Sequence, residues 1–118
     1  MTDTPINLAS ALSRMADEAL DMADISGRLE ADLSPLMARL IAAEPGLVAT
    51  LQSTDLLTQR LAGLALFLDS LARAACPAQV IDAGEALSSL TLESQVVRFG
   101  GEEAATAFAS DQPLFFAD

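Results

Sequence analysis

The sequence predicts an all-α fold: a long antiparallel helical hairpin with short C-terminal helices, forming a four-helix bundle either within one chain or as a dimer. Three observations predict it. Alanine and leucine supply 43 of the 118 residues, whereas valine and isoleucine supply 8, a composition that favours helix over sheet. The apolar fraction of 52% is enough for a real core. Apolar residues also recur at alternating spacings of four and three along two long stretches, the period of a helix packed on one side.

The first stretch opens at Thr4-Pro5, a capping oxygen followed by a residue suited to the first helical turn. Leu8, Leu12, Met15, Ala19, Met22, Ser26, Leu29 and Leu33 then form a seam over residues 5–33. Asp24 and Arg28 add an i,i+4 pair on the other side. Ser34-Pro35 interrupts the pattern, so residues 35–43 form either a short second helix or a kinked continuation, and Leu36 and Leu40 keep the seam in step. Glu44-Pro45-Gly46 is a turn.

The second long helix covers residues 46–75, with a seam of Leu47, Leu51, Thr54, Leu57, Leu61, Leu64, Leu68, Leu71 and Ala75. Cys76-Pro77 ends it. Val80, Ile81 and Leu87 suggest a short helix or turn over 78–87. Thr91 caps a helix over 92–99 that Gly100-Gly101 stops, and 102–109 adds one or two more turns. The organisation expected is one helical domain over 1–109, with the hairpin at 5–75 and short helices at 78–109. An acidic tail over 110–118 carries Leu114, Phe115 and Phe116 between Asp111 and Asp118.

Charge and residue types exclude much chemistry. The net charge is −11, and all six basic residues are arginine. So acidic a surface disfavours nucleic acid and anionic lipid. Without histidine there is no Ser-His-Asp triad, Cys-His dyad, histidine metal ligand or phosphohistidine. Without lysine there is no Schiff base or P-loop lysine. Cys76 stands alone with no activating neighbour. The apolar run Leu61–Leu68 is far shorter than the roughly 20 residues of a membrane span, and the acidic N-terminus lacks a signal-peptide pattern. The expectation is a cytoplasmic protein with no metal of its own.

On a wheel of 100° per residue, Leu57, Leu61, Leu64 and Leu68 of the second long helix define the buried face. Asp55 and Gln59 lie roughly 145° and 175° from its centre, one turn apart. Val48, Gln52, Ala62 and Leu66 line the same outward stripe. A carboxylate and a carboxamide between apolar residues form a candidate docking surface. A solvated i,i+4 hydrogen-bonded pair is the alternative for Asp55 and Gln59. The tail phenylalanines either bind a partner or fold back on the bundle. Met15, Met22 and Met37 are read as core filling.

The run Asp55-Leu56-Leu57-Thr58-Gln59 resembles the Asp-x-x-x-Gln motif of the CheZ-type chemotaxis phosphatases, and the size of the chain resembles that of the small CheT-like proteins. The resemblance covers the hairpin, about residues 6–75. Thr58 and Thr54 stand where that family usually has glycine and glutamine. It implies a dimeric four-helix bundle that binds a CheY-like receiver domain. Gln59 would orient a water in line with the partner's aspartyl-phosphate, and Asp55 would pair with a partner lysine. Mg²⁺ would be held by the partner, with no cofactor on this chain. Leu114, Phe115 and Phe116 would form a regulator-binding tail. A non-catalytic adaptor of a chemotaxis or two-component system is the alternative.

Overall fold

The structure, a computed structural model, describes residues 4–101. The expected helical turns at 102–109 and the tail, with Leu114, Phe115 and Phe116, lie outside the described residues. In chain order the elements are β1 (Pro5–Asn7), α1 (Leu8–Leu33), a 3₁₀ turn (Ser34–Leu36), α2 (Met37–Ala43), α3 (Leu47–Ala74), β2 (Val80–Asp82) and α4 (Gly84–Ser88). A further helix, α5, occupies 93–101 up to the last described residue. The fold is all-α, and α1 and α3 are the two arms of the long helical hairpin.

The expected start of α1 needs correction. Pro5 opens a strand rather than a helix, and the cap is Asn7, whose Oδ1 accepts from Ser10 N at 2.9 Å. Three residues at each end are withdrawn into an antiparallel ribbon, pairing Pro5 with Asp82, Ile6 with Ile81 and Asn7 with Val80. Proline, which lacks an N–H, is tolerated at the first position of an edge strand. Ribbon and helices share donors and acceptors. Asn7 Nδ2 donates to Pro77 O at 2.7 Å, and Leu8 N to Gln79 O at 2.9 Å. Asp82 Oδ1 accepts from Thr4 N at 2.9 Å and from Gly84 N at 3.0 Å, which opens α4. The segment read as a helix or turn over 78–87 is therefore a strand followed by a helix.

Ser34-Pro35 tightens the chain without reversing it. Leu33, Leu36 and Met37 all stay in the right-handed region, so α2 continues α1 through one 3₁₀ turn. Glu44 turns extended ahead of Pro45, as a residue before proline prefers, and Leu47 N and Val48 N donate back to Glu44 O and Pro45 O to start α3. α5 begins one residue later than a Thr91 cap would set it, with Gln95 N and Val96 N donating to Leu92 O. Gly101 has φ +80, and a side chain there would meet Arg14 Nη2 at 2.8 Å. Glycine suits a backbone conformation that other residues adopt only with strain.

The chain divides into two compact units, Met1–Met15 with Leu68–Asp118, and Ala16–Phe67. In the first, Ala83 and Leu87 form a buried cluster against which Ile6, Leu90 and Phe99 pack. Val96 is almost fully enclosed.

The second unit is packed differently. Its buried residues are small: Ala16, Ala19, Ala23, Ser26 and Ala65, apart from Glu18. The seam expected from leucine and methionine spacing is kept at Ala19, Ser26, Leu33, Leu51, Thr54 and Leu61, and is displaced by one residue at the positions between them in both arms. Ala23 is buried and Met22 is 37% exposed; Ala65 is buried and Leu64 is 46% exposed. Thr58 is half-buried, whereas Leu57 is 50% exposed. Small side chains let two backbones approach closely, and the bulky residues are left on the adjacent flank. The core role expected of Met15 and Met22 fails for the same reason, since both are exposed, while Met37 is half-buried.

Candidate functional site

The displaced seam fixes where Asp55 and Gln59 point. Thr54 and Thr58 lie on the seam, so Asp55 and Gln59 each follow a seam residue by one position. The buried arc is rotated by roughly 70° from the one expected, and the two residues lie about 80° and 120° from its centre. They flank the hairpin rather than point directly away from it. Both remain exposed, and Gln59 Nε2 donates to Asp55 Oδ2 at 2.8 Å.

Beneath them a polar stitch holds the two arms in register. Thr58 Oγ1 lies 2.7 Å from Ser26 Oγ, 3.1 Å from Glu30 Oε1 and 3.2 Å from Thr54 O. A hydroxyl has one proton, so with that proton directed at Glu30 Oε1 and Thr54 O, Thr58 accepts from Ser26. Thr58 therefore has a structural role here. The expected Asp24–Arg28 ion pair is replaced by a contact of Arg28 Nε with the Asp24 carbonyl at 3.4 Å. An i,i+4 ion pair forms between Asp69 and Arg73.

The remaining docking residues divide. Val48 is 38% exposed, Leu66 is 71% exposed, and Gln52 is exposed on the same flank as Asp55. Ala62 is half-buried beside the seam, so its expected place on the outward stripe is corrected.

The two flanks of this unit differ in character. Residues one position before the seam include the bulky apolar Met22, Ile25 and Leu29 on α1 and Leu57 and Leu64 on α3, all exposed. Residues one position after it include Asp24, Gln52, Asp55 and Gln59. A step of one residue is a rotation of about 100°, and equal rotations on antiparallel helices bring both stripes to one side of the pair. The apolar stripe and the Asp55–Gln59 pair thus occupy opposite sides.

Sequence spacing missed a groove beside the pair. A cavity of about 330 Å³ is lined by Met37, Ile41, Val48 and Leu51 and by Glu30 and Asp55. Gln52 also lines it. Three elements contribute, so no single helical wheel could reveal it. Among the described residues no group of three acidic or cysteine side chains is placed to hold a metal ion, and Cys76 is exposed. No helix among them is long and apolar enough to cross a membrane.

A family model described as a domain of unknown function (DUF8776) matches residues 4–115. The chain belongs to that family. No curated protein and no solved structure matches it. The DUF8776 match spans both compact units, so ribbon, hairpin and C-terminal helices all lie within the matched region.

Proposed function

We propose that this DUF8776 chain is a cytoplasmic docking protein for a phosphorylated CheY-like receiver domain, and that it assists hydrolysis of the partner's aspartyl-phosphate. The observation that carries the reading is the exposed Asp55–Gln59 pair, held 2.8 Å apart on one flank of a long helix.

Gln59 spends one amide proton on Asp55. Its second amide proton and its carbonyl oxygen remain to hold a water, and being uncharged it does not repel phosphate. The water adds to phosphorus, the bond from phosphorus to the partner's carboxylate oxygen breaks, and phosphate and a free carboxylate result. Asp55 Oδ1 is available to a partner lysine, which would orient the complex. Mg²⁺ held by the partner would supply the main charge stabilisation. Two copies of the chain pair through Met22, Ile25, Leu29, Leu57 and Leu64 into a four-helix bundle, leaving both Asp55–Gln59 pairs outside. Met22 and Leu29, like Leu57 and Leu64, are seven residues apart, the repeat of a helix seam.

The test is phosphate release from a phosphorylated receiver domain. Gln59→Ala is expected to abolish release, with helical circular dichroism intact and stability changed by less than about 0.5 kcal/mol. Asp55→Ala is expected to weaken binding and turnover together, in a salt-sensitive way. Binding without release would make the chain an adaptor, and absence of binding would remove both roles.

A further inference from the structure

The groove beside Asp55 has an unusual combination of walls. Its lining is apolar at Met37, Ile41, Val48 and Leu51, and acidic at Glu30 and Asp55. Glu30 uses Oε1 to accept from Thr58, and Asp55 uses Oδ2 to accept from Gln59. Among the described residues the second oxygen of each has no partner, and no arginine pairs with either. Two carboxylates in the lining of an apolar depression form a negative site with a hydrophobic floor. A volume of about 330 Å³ is at the lower end of the roughly 300–1,000 Å³ typical of ligand sites, suited to one or two large side chains.

We propose that this groove captures a segment of a partner protein that presents a large apolar side chain beside a lysine or arginine. The apolar group fills the floor of the groove while the cation bridges Glu30 and Asp55. The proposal deepens the reading above and rests on it for the identity of the partner, naming what that partner brings besides its phosphoryl group. Charge decides against other occupants. A second copy of this chain carries a net charge of −11 and, in the reading above, pairs through the apolar stripe on the opposite side of the hairpin. The apolar residues Leu114, Phe115 and Phe116 are accompanied after residue 101 by Glu102, Glu103, Asp111 and Asp118 and by no basic residue, so like charges oppose their entry.

The methionines give a direct readout. Met37 lines the groove, while Met15 and Met22 do not. The full chain, labelled with ¹³C at the methionine methyls, is titrated with a short synthetic peptide that places Leu-Phe between lysines. A matched peptide has glutamate for each lysine. The Met37 methyl signal is expected to move saturably with the lysine peptide alone, while those of Met15 and Met22 stay in place. Glu30→Gln and Asp55→Asn are each expected to weaken binding about two- to fivefold, the effect of a partly exposed ion pair, and added salt is expected to reduce the difference. Ile41→Ser, which removes part of the floor, is expected to weaken binding of the lysine peptide. A silent Met37, equal binding of the glutamate peptide, or a response at Met22 instead would overturn the proposal in the unmodified chain, without reliance on any variant. Phosphate release is read in parallel: peptide binding without release removes only the hydrolytic role, and release without a Met37 response removes only the groove.

Discussion

The two compact units solve the problem of burying apolar surface in opposite ways. Unit 1 turns large side chains inward, with Leu87 buried and Ile6, Leu90 and Phe99 packed around it, and closes its edge with a backbone ribbon. Unit 2 buries alanines, Ser26 and half of Thr58, and turns methionine, isoleucine and leucine outward. Hydrophobic stabilisation scales with apolar area removed from water. Unit 1 therefore captures more of that energy, although Val80, Ile81, Leu92 and Val97 stay exposed, whereas unit 2 leaves a larger set of apolar side chains in water. The difference places the surfaces available for recognition in unit 2, where the Asp55–Gln59 pair, the groove and the apolar stripe all lie.

The comparison can be broken most forcefully in unit 1. Leu87→Ala deletes a buried side chain whose neighbours are themselves large, and a loss of about 2–3 kcal/mol is expected in a urea titration. A loss below about 1 kcal/mol would mean that unit 1 is no better packed than unit 2. In unit 2 the damaging change is in the opposite direction. Ala65→Leu puts bulk into a seam made for small residues, and about 1–3 kcal/mol is expected to be lost through overpacking. If the variant is instead more stable, the seam is loose rather than closely packed.

Thr58→Val tests the polar stitch. It keeps the shape and removes the hydroxyl, leaving Glu30 and the buried Ser26 without their Thr58 contact. A loss of about 1–2 kcal/mol is expected. The smallest effect on monomer stability belongs to the apolar stripe. Leu57→Gln with Leu64→Gln is expected to change unfolding at low concentration by less than about 0.5 kcal/mol for each site. The same pair of changes is expected to move the sedimentation profile from dimer to monomer. An unchanged profile would separate the stripe from self-association.

Local rules explain what the sequence revealed. The end of α1 at Leu33, the Glu44-Pro45-Gly46 turn and the stop before Pro77 follow from proline and glycine chemistry, which depends on nearest neighbours. The exposure of Asp55 and Gln59 was legible because four-residue spacing holds them on one face whatever the rotation of the helix. The rotation itself was not legible. Hydropathy equates size with burial, so Met22, Leu57 and Leu64 outrank Ala23, Thr58 and Ala65, although close helix packing selects the smaller set. Ala62 was assigned to the outward stripe through the same error. The ribbon was hidden because each strand has only three residues, β1 opens on a proline, and each becomes a strand only through a partner more than 70 positions away. The groove needed α2 to be set against α3, which no periodicity encodes.

That ribbon also imposes an order of events on folding. Pairing residues 5–7 with 80–82 in an otherwise unfolded chain would close a loop of roughly 70 residues, at an entropic cost of about 4 kcal/mol. Few backbone hydrogen bonds across two three-residue strands cannot offset that alone. Once α1 and α3 have formed and docked as a hairpin, the intervening chain is already ordered and most of the closure has been achieved. Strand pairing is then conditional on the helices, and it is the last step of assembly and the first to reverse. In hydrogen exchange, the amides of Leu8 and Ala83, which donate across the ribbon, should open in a shared sub-global event while the middle of α3 stays protected. The clasp therefore acts as a reporter of the completed hairpin rather than as its scaffold.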